Sequence, residues 1–270
     1  MTAIKEVDIT TPFGKPSDTI FTGKLGGVGI AFLPRHGKGH HVSPTEVPSR
    51  ANIYALKSLG VKHIIALNSC GSFKEEIRPG HLLIPDQIID RTRHRVNTFF
   101  GEGIVAHIQF ADPFCPVLSH IIYQSALEAG ATVHKGGIFI AMEGPAFSTR
   151  AESRLYRSWG ADIIGMTVLP EAKLAREAEI CYASIACVTD YDSWHETNEP
   201  VSVDIILATM RKNIETAKKI IKLVVSRIPE VRDCNCASAL KTAIVSAPES
   251  IPAEQKKKLD LFIGKYIRKM

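Results

Sequence analysis

The chain has 270 residues, enough for one large α/β unit or two small ones, and no Pro-, Gly- or Ser-rich linker divides it. Its 45% hydrophobic and 23% charged residues support a full core and exclude disorder. The net charge of +5 comes from 33 basic and 28 acidic residues, and Lys256, Lys257, Lys258, Lys265, Arg268 and Lys269 carry part of the excess, without the aromatic-rich basic platform that nucleic-acid binding needs. No window reaches the roughly eighteen apolar residues of a spanning helix. The opening MTAIKEVDITTPFG lacks the basic and apolar regions of a signal peptide, so a cytoplasmic protein with no membrane partner is expected.

In chain order, ITTPFGKPSD is rich in turn formers, and TIFTGKL and GVGIAFLP read as two strands of a hairpin joined at Gly26-Gly27. ANIYALKSLG is amphipathic with Gly60 as a C-cap, and VKHIIALNS is a buried strand. HLLIPDQIID gives a strand pair broken at Pro85, LSHIIYQSALEAGA a helix, and GGIFIAM a strand. In AFSTRAESRLYRSWGA a helix opens near Ser148 or Thr149, where Glu152 stands three residues after Thr149 in a capping-box pattern. ADIIGMT reads as a strand, PEAKLAREAE as a helix, ICYASIACVTD as a strand buried on both faces, and VDIILATMRKNIETAKKIIKLVVSRI as a long amphipathic helix. The alternation predicts a single α/β domain with a central mixed β-sheet flanked by helices.

Three segments carry candidate chemistry. Arg35-His36-Gly37-Lys38-Gly39-His40-His41 follows a strand and combines cationic donors with two glycines, a composition suited to an anion; a solvated basic loop is the alternative. Asn68-Ser69-Cys70-Gly71-Ser72 ends an apolar strand in small polar residues that can aim donors at phosphate oxygens, but it lacks the pattern of a nucleotide-triphosphate loop. Cys70 has no assignable base and reads as a bystander thiol. The third segment is Asp190 and Asp192, two acids separated by one residue at the end of the most apolar strand, where α/β sheets place ligand crevices. The six cysteines are read as free thiols of a reducing compartment. Cys234 and Cys236 stand apart from the others, but no second Cys pair or spaced His completes a site, so no metal is expected.

The ordered motifs PFGKPSD, FLPRHGKGH, RANIYALKSLGV, CGSFKEEIRPG, IPDQIIDRT, ADPFCP, MEGPAFSTRAES, WGADIIGMT, PEAKLARE and VTDYDSW, from residue 8 to about 225, resemble the trimeric purine nucleoside phosphorylases and, among them, the methylthioadenosine branch. That resemblance implies a purine nucleoside phosphorylase-like fold over residues 1–232, followed by a helical, basic tail over 233–270. It implies a pentosyltransferase acting in purine and methionine salvage, with inorganic phosphate as co-substrate and no cofactor. The reaction is reversible phosphorolysis of S-methyl-5′-thioadenosine to adenine and 5-methylthioribose 1-phosphate through an oxocarbenium-like transition state, in a homotrimer or a dimer of trimers.

By the same resemblance, Arg35, His36, Asn68, Ser69 and Thr167 bind phosphate. Met166 lies against the ribosyl ring, Phe147 packs on the purine face, Ser148 helps distinguish this branch, and Glu143 belongs to the substrate side. Asp190 donates to or shares a proton with purine N7, and Asp192 accepts from the exocyclic amine. Branches specific for 6-oxopurines have Asn at the place of Asp190, so Asp favours adenine. His107 reaches the 5′ end of the sugar in a neighbouring subunit, and Val203 lines the 5′-methylthio group.

Three departures qualify the match. Relatives begin with a strand ending in a Gly-Gly-Ser/Thr-Gly phosphate loop, which does not precede MTAIKEVDITTPFG here, so the sheet is expected to lack one strand and the site one phosphate wall. A truncated start is preferred to natural reduction, because losing a central strand exposes backbone groups. Ala146 stands where relatives carry a long polar residue, and Asn68 replaces Thr or Ser. The alternatives are a 6-oxopurine nucleoside or methylthioinosine phosphorylase, and a purine-binding inactive paralogue.

Overall fold

β-Branched and aromatic runs bounded by turn residues set the strands. In the computed structural model, which describes residues 1–195 and 203–267 without the side chains of 203–208, they assemble into two sheets. The smaller sheet joins β1 (Thr2–Val7), β2 (Ile20–Leu25) and β3 (Val28–Phe32) in antiparallel order. Gly26 and Gly27, both at positive φ, turn the β2–β3 hairpin as expected. β1 was not foreseen: IKEV carries charges on an exposed strand, which hides its periodicity.

The larger sheet is built from β4 (His63–Ser72), β5 (Leu82–Ile84), β6 (Gln87–Arg91), β7 (Val133–Lys135), β8 (Ile138–Met142), β9 (Ile163–Gly165) and β10 (Cys181–Tyr191). Its order is β6-β8-β9-β4-β10-β5-β7. Neighbours run parallel except at β4–β9 and β10–β5, so the sheet is mixed. Helices α1 (Ser49–Ser58), α2 (Pro116–Glu128), α3 (Arg150–Ser158), α4 (Glu171–Glu177) and α5 (Val203–Val225) follow the predicted amphipathic segments. Thr149 caps α3 by accepting from the Glu152 amide, and Glu152 returns a bond to the Thr149 amide, a capping box worth about 1 kcal/mol.

β10 is the axis of the domain. Period-two alternation sends Tyr182, Ala186 and Val188 into one core layer and Cys181, Ala183, Ile185 and Cys187 into the opposite one, which is why its sequence is apolar on both faces. β4 pairs with β10 along its length but with β9 only at Gly71 and Ser72, leaving its other edge over residues 63–70 without a strand among the described residues. The guanidinium of Arg35 takes the Leu67 carbonyl at 3.2 Å on this strand.

The C-terminal segment, expected as a helical, basic tail, is helical and packs into the body. It carries α6 (Ala253–Lys258) and α7 (Asp260–Ile267), and Leu240, Ile251, Leu259, Phe262 and Ile263 join the main core layer around Phe99 and Leu174. Its lysines face outward while this apolar stripe faces in, so charge count alone hid the packing. Buried Glu179 ties the segment down by accepting from the Leu240 amide and the Tyr266 hydroxyl.

Candidate active site

Asp190 and Asp192 reach the site because β10 is irregular near its end. Val188 pairs with Cys70 and Asp190 with Gly71, so one extra residue, Thr189, is inserted against β4. Such a bulge re-aims the side chains that follow it. The Thr189 hydroxyl lies 2.6 Å from Asp190 Oδ1, and the Ser69 hydroxyl donates toward Thr189 at 3.3 Å, linking the two strand ends. Burial pushes the Asp190 carboxyl up to about 7, with the Asp192 charge adding to the rise and the Thr189 hydroxyl opposing it. At neutral pH this group is poised both to give and to take a proton.

Asp192 is 4% exposed, and burial raises its pKa as well; the Ser153 hydroxyl, Ser193 amide and Ser148 hydroxyl lie near and pull the other way. None reaches bonding geometry at Asp192 Oδ2, which has no hydrogen-bond partner among the described residues. A buried carboxylate oxygen without a donor is costly unless a ligand supplies one. Ser148 is buried beside it, and adjacent Phe147 is 45% exposed, a ring face open to a planar ligand.

A second cluster lies where β4 meets β9 and α4. Buried Asn68 donates from Nδ2 to the Thr167 hydroxyl at 2.7 Å and accepts from the Ser184 hydroxyl at 2.7 Å. The amide therefore fixes Thr167, whose own O–H is free to donate. Arg35 donates from Nε and Nη2 to the two carboxylate oxygens of Glu171, at 2.8 and 2.9 Å. Burial disfavours its charge, but Glu171 outweighs that effect and the guanidinium stays charged with further N–H groups to offer. The Tyr182 hydroxyl also donates to Glu171, at 2.8 Å.

His36 stacks on His40 at 4.3 Å, and its Nδ1 lies 2.8 Å from the Val42 carbonyl. A carbonyl only accepts, so Nδ1 carries the proton. Burial lowers the ring's pKa, leaving Nε2 an acceptor at neutral pH. Such a nitrogen can accept a hydrogen bond from the remaining O–H of hydrogen phosphate. Cys70 is 3% exposed and burial raises its thiol well above the usual range, which fits an inert thiol rather than a nucleophile.

Sequence reasoning did not find Arg95, one of several arginines in RTRHRVN. Its side chain is 3% exposed and donates to the carbonyls of Met142, Glu143, Met166 and Leu169, while Nε pairs with Glu143 at 3.3 Å. One guanidinium thus holds the Met142–Glu143 and Met166–Leu169 segments together. Burial raises the Glu143 carboxyl, but bonds from the Thr45 hydroxyl and the Arg93 and His94 amides, with the Arg95 charge, hold it down at about 2. Glu143 is therefore an anchor between loops. Met166, half-buried, leans on Gly144, where an added Cβ would lie 2.5 Å from Sδ.

His107 is exposed, and its backbone is tied to the C-terminal segment through Ala243 rather than to the aspartates. The side chain of Val203 lies outside the described residues.

A buried carboxyl pushed up to about 7 and an orphaned carboxylate oxygen thus stand at the end of β10, while the adjacent β4 carries Asn68 and Ser69 and receives Arg35 at its Leu67 carbonyl, so acidic, hydroxyl and cationic groups gather on neighbouring strands. The chain belongs to the phosphorylase superfamily, whose family model matches residues 1–226. It is 60% identical over 265 residues to the S-methyl-5′-thioadenosine phosphorylase of Geobacter sulfurreducens, covering 98% of this chain and 93% of the relative. A methylthioadenosine phosphorylase sourced from an antarctic soil metagenomic library has a crystal structure that superposes with a TM-score of 0.93 at 47% identity, over 97% of this chain and 92% of the other. The methylthioadenosine phosphorylase from Schistosoma mansoni in complex with adenine matches with a TM-score of 0.84 at 39% identity, over 92% of each chain.

Proposed function

We propose that the chain catalyses the reversible phosphorolysis of S-methyl-5′-thioadenosine, yielding adenine and 5-methylthioribose 1-phosphate. The observation that carries this reading is the carboxyl of Asp190, held near neutrality beside buried Asp192. Protonated Asp190 gives its proton to purine N7 as the glycosidic bond breaks and the base gains charge. The orphaned oxygen of Asp192 accepts from the exocyclic amine. A 6-oxo group offers no N–H there, so hypoxanthine leaves Asp192 unpaired, and a site built around one such bond discriminates by about 10⁴ to 10⁵.

Phosphate is the nucleophile, and the residues proposed to hold it are Arg35, His36, Asn68, Ser69 and Thr167. Arg35 supplies charge and Thr167 a directed hydroxyl, set by Asn68. His36 accepts a hydrogen bond from the phosphate O–H on Nε2, which orients the dianion against the oxocarbenium face of the sugar. This is positioning and electrostatics without a covalent intermediate. Phe147 covers the purine, Ser148 neighbours its 6-position, Met166 faces the ribose, and Glu143 shapes the substrate side through its loops.

The working unit is proposed to be a cytoplasmic homotrimer that needs no cofactor and binds neither nucleic acid nor membrane. Exposure of His107 supports its reaching the 5′ end of the sugar in a neighbouring subunit, and Val203 is proposed to line the methylthio group. Among the described residues no helix is long and apolar enough to cross a membrane.

The test is to give purified protein methylthioadenosine, adenosine and inosine, with and without phosphate, and to follow the released bases. Phosphate-dependent adenine release, fastest from methylthioadenosine, is expected. Preferential hypoxanthine release would make it a 6-oxopurine phosphorylase, and binding without release an inactive paralogue.

A further inference from the structure

Away from the site, the fold gathers four cysteines that the sequence scatters. Cys115 is the N-cap residue of α2, Cys181 opens β10, and Cys234 and Cys236 flank the start of a short 3₁₀ turn after α5. Their sulfurs all lie within 4.8 Å of one another, with Cys181 and Cys234 at 3.4 Å, and all four are free thiols. The Cys234-x-Cys236 pair lacked a second pair by spacing alone; Cys115 and Cys181 supply it through the fold.

We propose that Cys115, Cys181, Cys234 and Cys236 form a tetrathiolate site for a soft divalent cation of the zinc class. A tetrahedral ion with metal–sulfur bonds of about 2.3 Å sets its sulfurs about 3.8 Å apart, so a cluster within 4.8 Å closes on such an ion by side-chain adjustment alone. Pairwise disulfides would need only two close contacts, whereas here every sulfur is near the other three.

The surroundings suit bound thiolates. Cys115 stands at the N-terminus of a 13-residue helix, whose dipole favours negative charge. The guanidinium of Arg232 and the ring of His63 line the pocket that opens beside the cluster. Each thiol gives its proton to solvent as it ligates. Cys234 is only half-buried and the pocket reaches it, which provides an entry path. Backbone bonds from Cys115 to Tyr182 and from Cys181 to Lys62 hold two ligands on the sheet, and the other two come from the C-terminal segment. A bound ion therefore fastens that segment to β10 and α2.

The test uses the full-length protein, purified under reducing conditions, with metal content by mass spectrometry and titration of the metal-stripped protein with cobalt(II). About one zinc per chain and an intense thiolate-to-cobalt charge-transfer band are expected. Cys234→Ser should abolish that band, whereas Cys187→Ala, a buried thiol outside the cluster, should keep it. Chelation should lower the thermal midpoint of the parent protein and leave that of Cys234→Ser unchanged. Absence of a charge-transfer band in the folded parent protein would overturn the proposal whether or not the variants fold. So would recovery of disulfide-linked peptides among these four residues from protein kept reduced.

Discussion

Asp190 lies against Gly71: a Cβ built on that glycine would stand 3.1 Å from Asp190 Oδ2 and 3.4 Å from the Asp192 Cβ and the Ile164 Cγ2. The glycine has ordinary backbone dihedrals, so its role is room. A methyl there crowds its neighbours, because Ile164 belongs to the core, Asp190 sits on a paired strand and the Asp192 amide donates to the Ser72 carbonyl. Gly71→Ala is expected to shift Asp190 by a few tenths of an ångström, lowering kcat/KM for methylthioadenosine several-fold, short of the ~100-fold that a 1 Å misplacement costs. The fold should lose only about 1–3 kcal/mol. Steady-state rates alongside a denaturant titration separate the two, and a loss of stability with intact kcat would defeat the argument.

The raised Asp190 carboxyl predicts both a rate profile and a stability profile. As the proton donor, Asp190 must be protonated, so kcat/KM should fall tenfold per pH unit above about 7. Phosphate gains charge in the same range, which works in the opposite direction. For stability, the folded carboxyl holds its proton between the unfolded value near 4 and the folded value near 7, so the native state binds more protons there. Stability therefore falls as pH rises through that window and is flat above it, by up to about 4 kcal/mol from this group. Burial also raises Glu177 to about 7, and it adds to the same slope. Asp190→Asn should remove the alkaline limb of kcat/KM, flatten part of the thermal-midpoint profile, and melt higher than the parent protein at pH 8.

Local chemistry carried much of this fold in plain view. The run ICYASIACVTD is apolar at both parities and became the doubly buried β10; Thr149 and Glu152 spelled out the α3 cap; Gly26-Gly27 marked a hairpin. The aspartate pair was legible because two acids at the end of such a run have no packing role. Long-range pairings left no local trace. Arg35 meets Glu171 across 136 residues, Arg95 collects carbonyls from two distant segments, and the extra residue at Thr189 exists only relative to β4. β7 is three residues long, and its polar His134 and Lys135 break any alternation.

The Arg35–Glu171 pair predicts a phosphate-dependent stability. Both groups are largely buried, and Glu171→Gln leaves the guanidinium without its counter-charge, costing about 3–5 kcal/mol in phosphate-free buffer. If Arg35 faces phosphate, the anion replaces part of the lost partner. Saturating phosphate should then raise the thermal midpoint of Glu171→Gln by more than it raises that of the parent protein. Equal shifts would place phosphate elsewhere.

Gly144 and Met166 predict an effect on nucleoside binding. Gly144 sits at φ +71, a conformation side chains rarely adopt, and its Cβ position lies 2.5 Å from Met166 Sδ. Gly144→Ala must therefore strain its backbone and push the thioether from the wall proposed to face the ribose, at a cost of about 1–3 kcal/mol. Arg95 holds the main chain on both sides through the Glu143 and Met166 carbonyls, so the loop cannot follow the side chain. The KM for methylthioadenosine should rise several-fold while the KM for phosphate, held by Arg35, His36, Asn68 and Ser69 and by a Thr167 hydroxyl that Asn68 fixes, changes less. A matching rise in both constants would mean that the loop had shifted as a whole, and that Arg95 does not hold it.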